Sequence, residues 1–357
     1  MNRGKPQKFT LLAEQIRQEI QSAGLRSGDK LPPERELARR CRCNHLTVRK
    51  ALKQLAAQGI IHTIPGRGSF LGSPKTGRRP AQQSDRIGFI FPDDEIFYYR
   101  IFAAVERMAA SRGLHPVVHL TGGSPRKEND LLNYFDHAGT PALIAVPNRL
   151  CAECYRRLRI PVLFFDMRLP ELEIPQIISD DYSGALTATE RLILLGHTRI
   201  AHIGSEYDYT GEQRLNGFLE AFRKYALPCR KQLIRMRYPS REWGYHAIRE
   251  LFALKHPPSA VFCANDTIAA GVVNFCADRG IRIPEDLSVT GFGNTPTAEY
   301  LNLNSVSQNA DKISGAICSN LDKLLNHEEV PPLTVIPTSY ITRKSIRPLP
   351  GTAVGSR

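Results

Sequence analysis

No apolar stretch in the 357 residues approaches the roughly 18 consecutive residues of a membrane-spanning helix, so no such segment is expected. The first residues, Met1-Asn2-Arg3-Gly4-Lys5-Pro6, have no apolar segment behind them of the kind that marks an export signal. Catalytic signatures are missing too. There is no GxxxxGK phosphate loop, no HExxH, no EF-hand loop and no GxSxG, so enzymatic activity is not expected. His197, in Gly196-His197-Thr198-Arg199, reads as a turn residue rather than a base. The eight cysteines form no regular framework, which points to a reducing, cytoplasmic location. Cys41-Arg42-Cys43-Asn44-His45 and Cys151-Ala152-Glu153-Cys154 lack the second pair that a four-ligand zinc site needs. Both therefore read as packing residues, and no metal or cofactor is expected.

What the chain does have is positive charge, unevenly placed. It holds 48 Lys and Arg against 35 Asp and Glu, a net of +13. The first 80 residues carry 17 of these bases and 5 of the acids, whereas the other 277 are close to neutral. A basic segment joined to a neutral body implies one module for a polyanion, nucleic acid above all, and another for something else. With 42% hydrophobic and 23% charged residues, both modules have ordinary globular composition.

In the basic segment Phe9, Leu12, Ile16 and Ile20 recur at helical spacing. Pro33 suits the first turn of a short helix through Glu34–Arg39. Arg42-Cys43-Asn44 makes a turn, and Asn44 can cap a third helix from about His45 to Ala57 whose buried stripe is Val48, Ala51, Leu52 and Leu55. Two β-prone runs, 60–64 and 69–71, flank Pro65-Gly66-Arg67-Gly68 as a hairpin. The unit is read as a winged helix-turn-helix over residues 1–72, its third helix facing the major groove. Residues 73–84 read as a linker without apolar periodicity, and 346–357 as a tail.

Between them, over 85–345, short apolar runs alternate with helical patterns, as in parallel sheets covered on both faces. Strands are expected at 86–91, 116–120, 142–146, 162–165, 200–203, 233–236, 260–264 and 288–291. The length suits two α/β lobes, about 85–165 with 294–327 and about 166–292 with 328–345. Ligands of such folds sit beyond the carboxyl ends of the strands. Those positions hold Asp93, Asn148, Asp166, Arg168, Ser205, Asn265, Asp266 and Asn294, planar polar groups suited to a sugar or similar polyol. Phe97, Tyr98 and Tyr99 are available to stack on its apolar face.

Two resemblances sharpen this reading. Leu31-Pro32-Pro33-Glu34-Arg35-Glu36-Leu37-Ala38, Thr47-Val48-Arg49-Lys50-Ala51-Leu52 and Gly66-Arg67-Gly68-Ser69-Phe70 resemble the GntR family of bacterial regulators. That resemblance implies DNA contacts by Arg35, Thr47 and Arg49, with Gly66 and Arg67 serving from the wing. Asn44, His45 and Lys53 join them as candidates, Lys53 as a phosphate contact. His45 and Lys50 stand where the family often has arginine and glutamate, which bears on which operator is read.

The body resembles the lactose/galactose-repressor family. The likeness rests on Ile160–Asp166, Asp180–Ala185, Leu195–Ala201, Arg214–Phe218, Pro258–Asp266 and Ile283–Phe292. It implies a periplasmic-binding-protein-like fold of two αβα lobes joined by three crossings, and a homodimer. The implied effector-binding residues are Phe97, Tyr98, Asp166, Arg214, Asn265 and Gln308. The family usually has aspartate where this chain has Gly293, so either Asn294 supplies that group or the ligand does without it.

Together these features point to a DNA-binding transcription regulator, a repressor in the first instance, acting on double-stranded palindromic operator DNA. A carbohydrate-like small molecule between the lobes would control it. A ligand-independent DNA-binding protein with a vestigial cleft, and an activator with a nucleoside-like effector, are the alternatives.

Overall fold

A computed structural model describes residues 8–22, 29–58, 60–64, 68–71, 84–206 and 209–349. The chain divides into two compact units, Met1–Gln82 and Gln83–Arg357. They are called here the head and the body.

The head contains α1 (Lys8–Ser22), α2 (Glu34–Arg40), α3 (His45–Ala57) and the antiparallel pair β1 (Ile61–Ile64) and β2 (Gly68–Leu71). Asn44 starts α3 as anticipated, its Oδ1 accepting from the Thr47 backbone N–H at 2.8 Å. Leu12, Ile16 and Ile20 of α1 meet Leu37 of α2 and Val48, Ala51, Leu52 and Leu55 of α3 in one core. Cys41 and Cys43 pack against that core as small apolar groups.

The body begins with β3 (Arg86–Phe91), α4 (Ile96–Ala110), β4 (His115–Leu120), α5 (Pro125–Ala138), β5 (Leu143–Ala145), α6 (Ala152–Arg156), β6 (Val162–Phe165) and β7 (Gln176–Ser179). The chain then crosses to a second lobe. There it forms α7 (Asp181–Leu194), β8 (Ile200–Ser205), α8 (Tyr209–Lys224), β9 (Ile234–Arg237), α9 (Arg241–Phe252), β10 (Ala260–Cys263), α10 (Asp266–Arg279), β11 (Ser288–Gly293), α11 (Pro296–Tyr300) and β12 (Asn304–Ser307). It returns for α12 (Ala310–Leu325) and β13 (Leu333–Ile336), and crosses once more into β14 (Ser339–Ile341).

The first sheet runs β13-β7-β6-β5-β3-β4, all parallel. The second runs β14-β12-β11-β10-β8-β9, with only β14 antiparallel. Side chains alternate across each sheet. Ile87, Phe89 and Phe91 face α4 and α12 in one cluster, while Ile90 faces Leu132 and Phe135 of α5 in another. Burial on both faces is why these strands read as continuous apolar runs.

The sheets correct the lobe boundaries. Residues 166–179 and 328–336, expected in the second lobe, run with the first sheet or lead into it, while 294–307, expected in the first lobe, carry α11 and β12 of the second. Strand pairing decides this. β7 pairs with β6 and with β13, and β12 pairs with β11, so the three crossings fall at 179–181, 307–310 and 336–339.

Candidate functional site

The head presents its candidate residues to solvent. Arg35, Asn44, His45, Arg49 and Lys53 are exposed and Thr47 is half-buried, while Gly66 and Arg67 lie outside the described residues. Asn44 Oδ1 accepts from both the N–H and the hydroxyl of Thr47, at 2.8 Å each. The Arg49 guanidinium reaches back to Glu34 of α2, with its Nε and Nη2 at 3.3 and 3.2 Å from Oε2. A pair this exposed is worth only about 0–1 kcal/mol. It orients Arg49 and yields easily to a stronger partner such as phosphate or a guanine edge.

In the body a cavity of about 290 Å³ opens between the lobes, and all six expected effector residues line it. The sheets explain why. Strand order reverses on either side of β3 in the first lobe and of β8 in the second, and loops leaving these reversal points part to form a crevice. Asp93 follows β3, Asn148 follows β5, Ser205 ends β8 and Asn265 follows β10, and each contributes to the lining.

Across the cavity floor runs a chain of hydrogen bonds joining the two lobes. The Tyr98 hydroxyl donates to Asp166 Oδ2 at 3.0 Å, and Gln308 Nε2 donates to Asp166 Oδ1 at 3.2 Å and to Ser179 Oγ at 3.1 Å. Ser179 Oγ donates to Asp181 Oδ2 at 3.0 Å. Arg214 closes the chain, its Nε 2.8 Å from Asp181 Oδ1 and its Nη1 2.7 Å from the Ala264 carbonyl. The Arg214 guanidinium lies 3.9 Å over the Phe292 ring, and both members of the Arg214–Asp181 pair are buried. Burial, then the neighbouring Asp166 carboxylate, hold the Tyr98 phenol well above its ordinary range, so it remains a donor. Arg214 can reach Asp181 because α7 and α8 touch at Gly217, where a Cβ would overlap the Tyr182 carbonyl oxygen.

Other contacts join the lobes around the cavity. Tyr238 donates to Asp93 at 3.3 Å, Thr267 donates to Glu95 at 2.8 Å, and Arg149 lies 3.8 Å from Glu212. Burial pushes the Glu95 carboxyl up; the Thr267 bond opposes this, and the Asp93 and Asp266 charges add to it. Glu128 is also pushed up by burial, against bonds from the Asn148 N–H at 2.9 Å and the Tyr155 hydroxyl at 2.8 Å.

Several expectations are corrected. Tyr99 is 40% exposed and does not line the cavity, because one helical step turns it away from Phe97 and Tyr98. Arg168 faces a separate shallow depression beside Asp180 and Tyr182. Asn294 does not stand in for a side chain at Gly293, since its Oδ1 accepts from Arg343 at 2.7 Å and it is not part of the lining. Gly293 itself has φ +118, a conformation that favours glycine. The nearby Asp266 carboxylate is spoken for, accepting from the Thr295 N–H and hydroxyl and from the Ser305 hydroxyl at 2.7–3.0 Å. Asn265 lines the cavity, but its Oδ1 caps α10 at 2.8 Å from the Ile268 N–H. Sequence reasoning missed Glu95, Glu128, Arg149, Glu206 and Tyr238 in the lining. Of these, Glu95, Arg149 and Glu206 stand within two residues of a strand-end group singled out from the sequence, and Glu128 and Tyr238 do not.

Comparison with known proteins follows this division. Residues 10–71 match the family described as bacterial regulatory proteins, gntR family, and residues 189–346 match the periplasmic binding protein-like domain. The arabinose metabolism transcriptional repressor of Geobacillus stearothermophilus is 27% identical over 303 residues, covering 80% of this chain and 81% of that protein. The probable HTH-type transcriptional repressor ExuR of Bacillus subtilis is 32% identical over 198 residues, 54% of this chain and 60% of its own. Among solved structures, a LacI family transcriptional regulator from Enterococcus faecium with bound ribose shares the fold. Its TM-score is 0.67 at 22% identity, over 74% of this chain and 99% of that one.

Proposed function

We propose, from the premise that this chain is a bacterial transcription regulator with a gntR-type helix-turn-helix head and a periplasmic-binding-protein-like effector domain of the LacI type, that it is a repressor controlled by an uncharged sugar between its lobes. The observation that carries the proposal is the floor chain Tyr98–Asp166–Gln308–Ser179–Asp181–Arg214. It passes through two of the three crossings, so a ligand bonded to Asp166 and Arg214 engages both lobes and changes the balance between their arrangements. The sugar named for the arabinose repressor and the ribose held by the Enterococcus faecium regulator support this class of ligand.

Charge narrows the class. Asp93, Glu95, Glu128, Asp166, Glu206 and Asp266 line the cavity against Arg149 and Arg214, and Arg214 is already neutralised by Asp181. A sugar acid or sugar phosphate would bring its charge among carboxylates, whereas hydroxyls find acceptors and an aromatic wall. Two protomers of this cytoplasmic regulator, joined through their bodies, would present two heads to a palindromic operator.

The test begins with duplexes selected from a random library by the full-length protein. Binding of pentoses, hexoses, a hexuronate, a pentose phosphate and nucleosides is then measured by calorimetry. A neutral sugar should bind and shift duplex affinity by about 5–150-fold. Tighter binding of the acidic sugars would overturn the charge argument. Duplex binding that no ligand alters would overturn the regulatory reading and favour a vestigial cleft.

A further inference from the structure

On α3, Val48, Ala51, Leu52 and Leu55 form the buried stripe. Leu46, Arg49, Lys50 and Lys53 recur at the same spacing two residues out of step, which puts them on the opposite side of the helix. All four are exposed, and Leu46 is 54% so. A leucine therefore heads a stripe that is otherwise cationic. Local packing does not account for it. With Asn44 as the cap, the positions that pair across a helix start are Cys43 and Val48, both already packed in the head core. Leu46 belongs to neither.

We infer that Leu46 packs against the 5-methyl group of a thymine in the major groove and so selects that base pair. The inference rests on the DNA-binding reading of the head. The partner is identified by complementarity on one face: Arg49, Lys50 and Lys53 suit phosphates and base acceptors, and the apolar side chain among them suits the one apolar group that the major groove displays. Leu46 lies in the first turn of α3, the part of a recognition helix that reaches base edges. It thus sets specificity where Lys53 sets only affinity.

The experiment uses the full-length protein and a duplex selected by it. Each thymine is replaced singly by deoxyuridine, which removes the methyl group and keeps the hydrogen bonds. At one thymine in each half-site the replacement should weaken wild-type binding about 3–5-fold, the worth of one buried methyl group. Leu46→Ala should bind the thymine duplex more weakly and lose the thymine–uracil difference at that position alone. Its binding to an unrelated duplex at low salt should match wild type, which shows that the head remains folded. The inference falls if every deoxyuridine duplex binds like its parent, or if Leu46→Ala keeps the full difference. Failure to select any duplex would instead bring down the DNA-binding reading itself.

Discussion

The head and the body hold their functional side chains in opposite ways. In the head, Arg35, Arg49, Lys50 and Lys53 stand in solvent, and Arg49 shares its charge with Glu34. In the body, Arg214 and Asp181 are buried and bonded into a chain that spans both lobes. A polyanion is gripped by mobile surface cations that release counterions, so those side chains need little support. A small neutral ligand offers only hydroxyls and ring faces, so its site must be dry and its donors fixed in advance. The same residue type, arginine, is adjustable in one region and locked in the other.

The largest test of that contrast is Arg214→Ala. Removing Arg214 takes the buried counter-charge away from the Asp181 carboxylate, which should lower the body's stability by about 3–5 kcal/mol in urea unfolding. Arg49→Ala, across an exposed pair, should lower the head's by less than about 1 kcal/mol. Equal effects would break the comparison.

Next comes acid. His202 of β8 packs against the rings of Phe218 and Phe262, its Nδ1–H donates to the Phe262 carbonyl at 3.1 Å, and burial lowers its pKa from 6.5 to about 4. Between those values the unfolded chain binds a proton that the folded one refuses. Stability from this residue is therefore intact above pH 6.5 and lost as pH falls towards 4, by about 3 kcal/mol in all. The pushed-up carboxyls of Glu95, Glu128 and Asp266 act in the opposite direction, because they take up protons more readily folded than unfolded. Comparing His202→Phe with wild type at pH 7 and pH 4 isolates the histidine. The variant should gain on wild type by about that amount, and an unchanged difference would refute the assignment.

A smaller effect is expected at Gln308. It donates to both Asp166 and Ser179, so Gln308→Ala should weaken sugar binding about tenfold, the worth of one hydrogen bond to a charged group, with duplex affinity in the absence of sugar nearly unchanged. Calorimetry and duplex titration read the two separately. Smallest is Lys53→Ala, which should weaken all duplexes alike and flatten the dependence of log K on log salt by about one unit. A change of preferred sequence there would show that Lys53 reads bases.

Much of the fold was legible because burial repeats with a local period. β3, β5, β6, β8, β10 and β11 are central strands buried on both faces and stand out as apolar runs, and the helices of the head carry clean stripes. β7, β12, β13 and β14 did not stand out. Gln176 and Ser179 bound β7 with polar groups, Gln176 bonded to the Leu169 and Leu172 backbone just before the strand and Ser179 to Asp181 and Gln308 at the crossings, and β14 is a three-residue edge strand. Misplacing β7, β12 and β13 is what displaced the lobe boundaries.

At the level of residues, the chain's own order settled the partition of charge, the capping of α3 by Asn44 and the set of polar groups that follow strands, since each depends on neighbours a few positions away. Which of those groups face the cleft was settled by folding. Asp166 meets Gln308, Asp93 meets Tyr238 and Glu95 meets Thr267 across 142, 145 and 172 positions of chain. Separations of that size leave no periodic trace, because the partner arrives through the packing of a different lobe. The same holds for Asn294 and Tyr99, which carry suitable chemistry at suitable positions and are turned elsewhere by Arg343 and by one step of a helix.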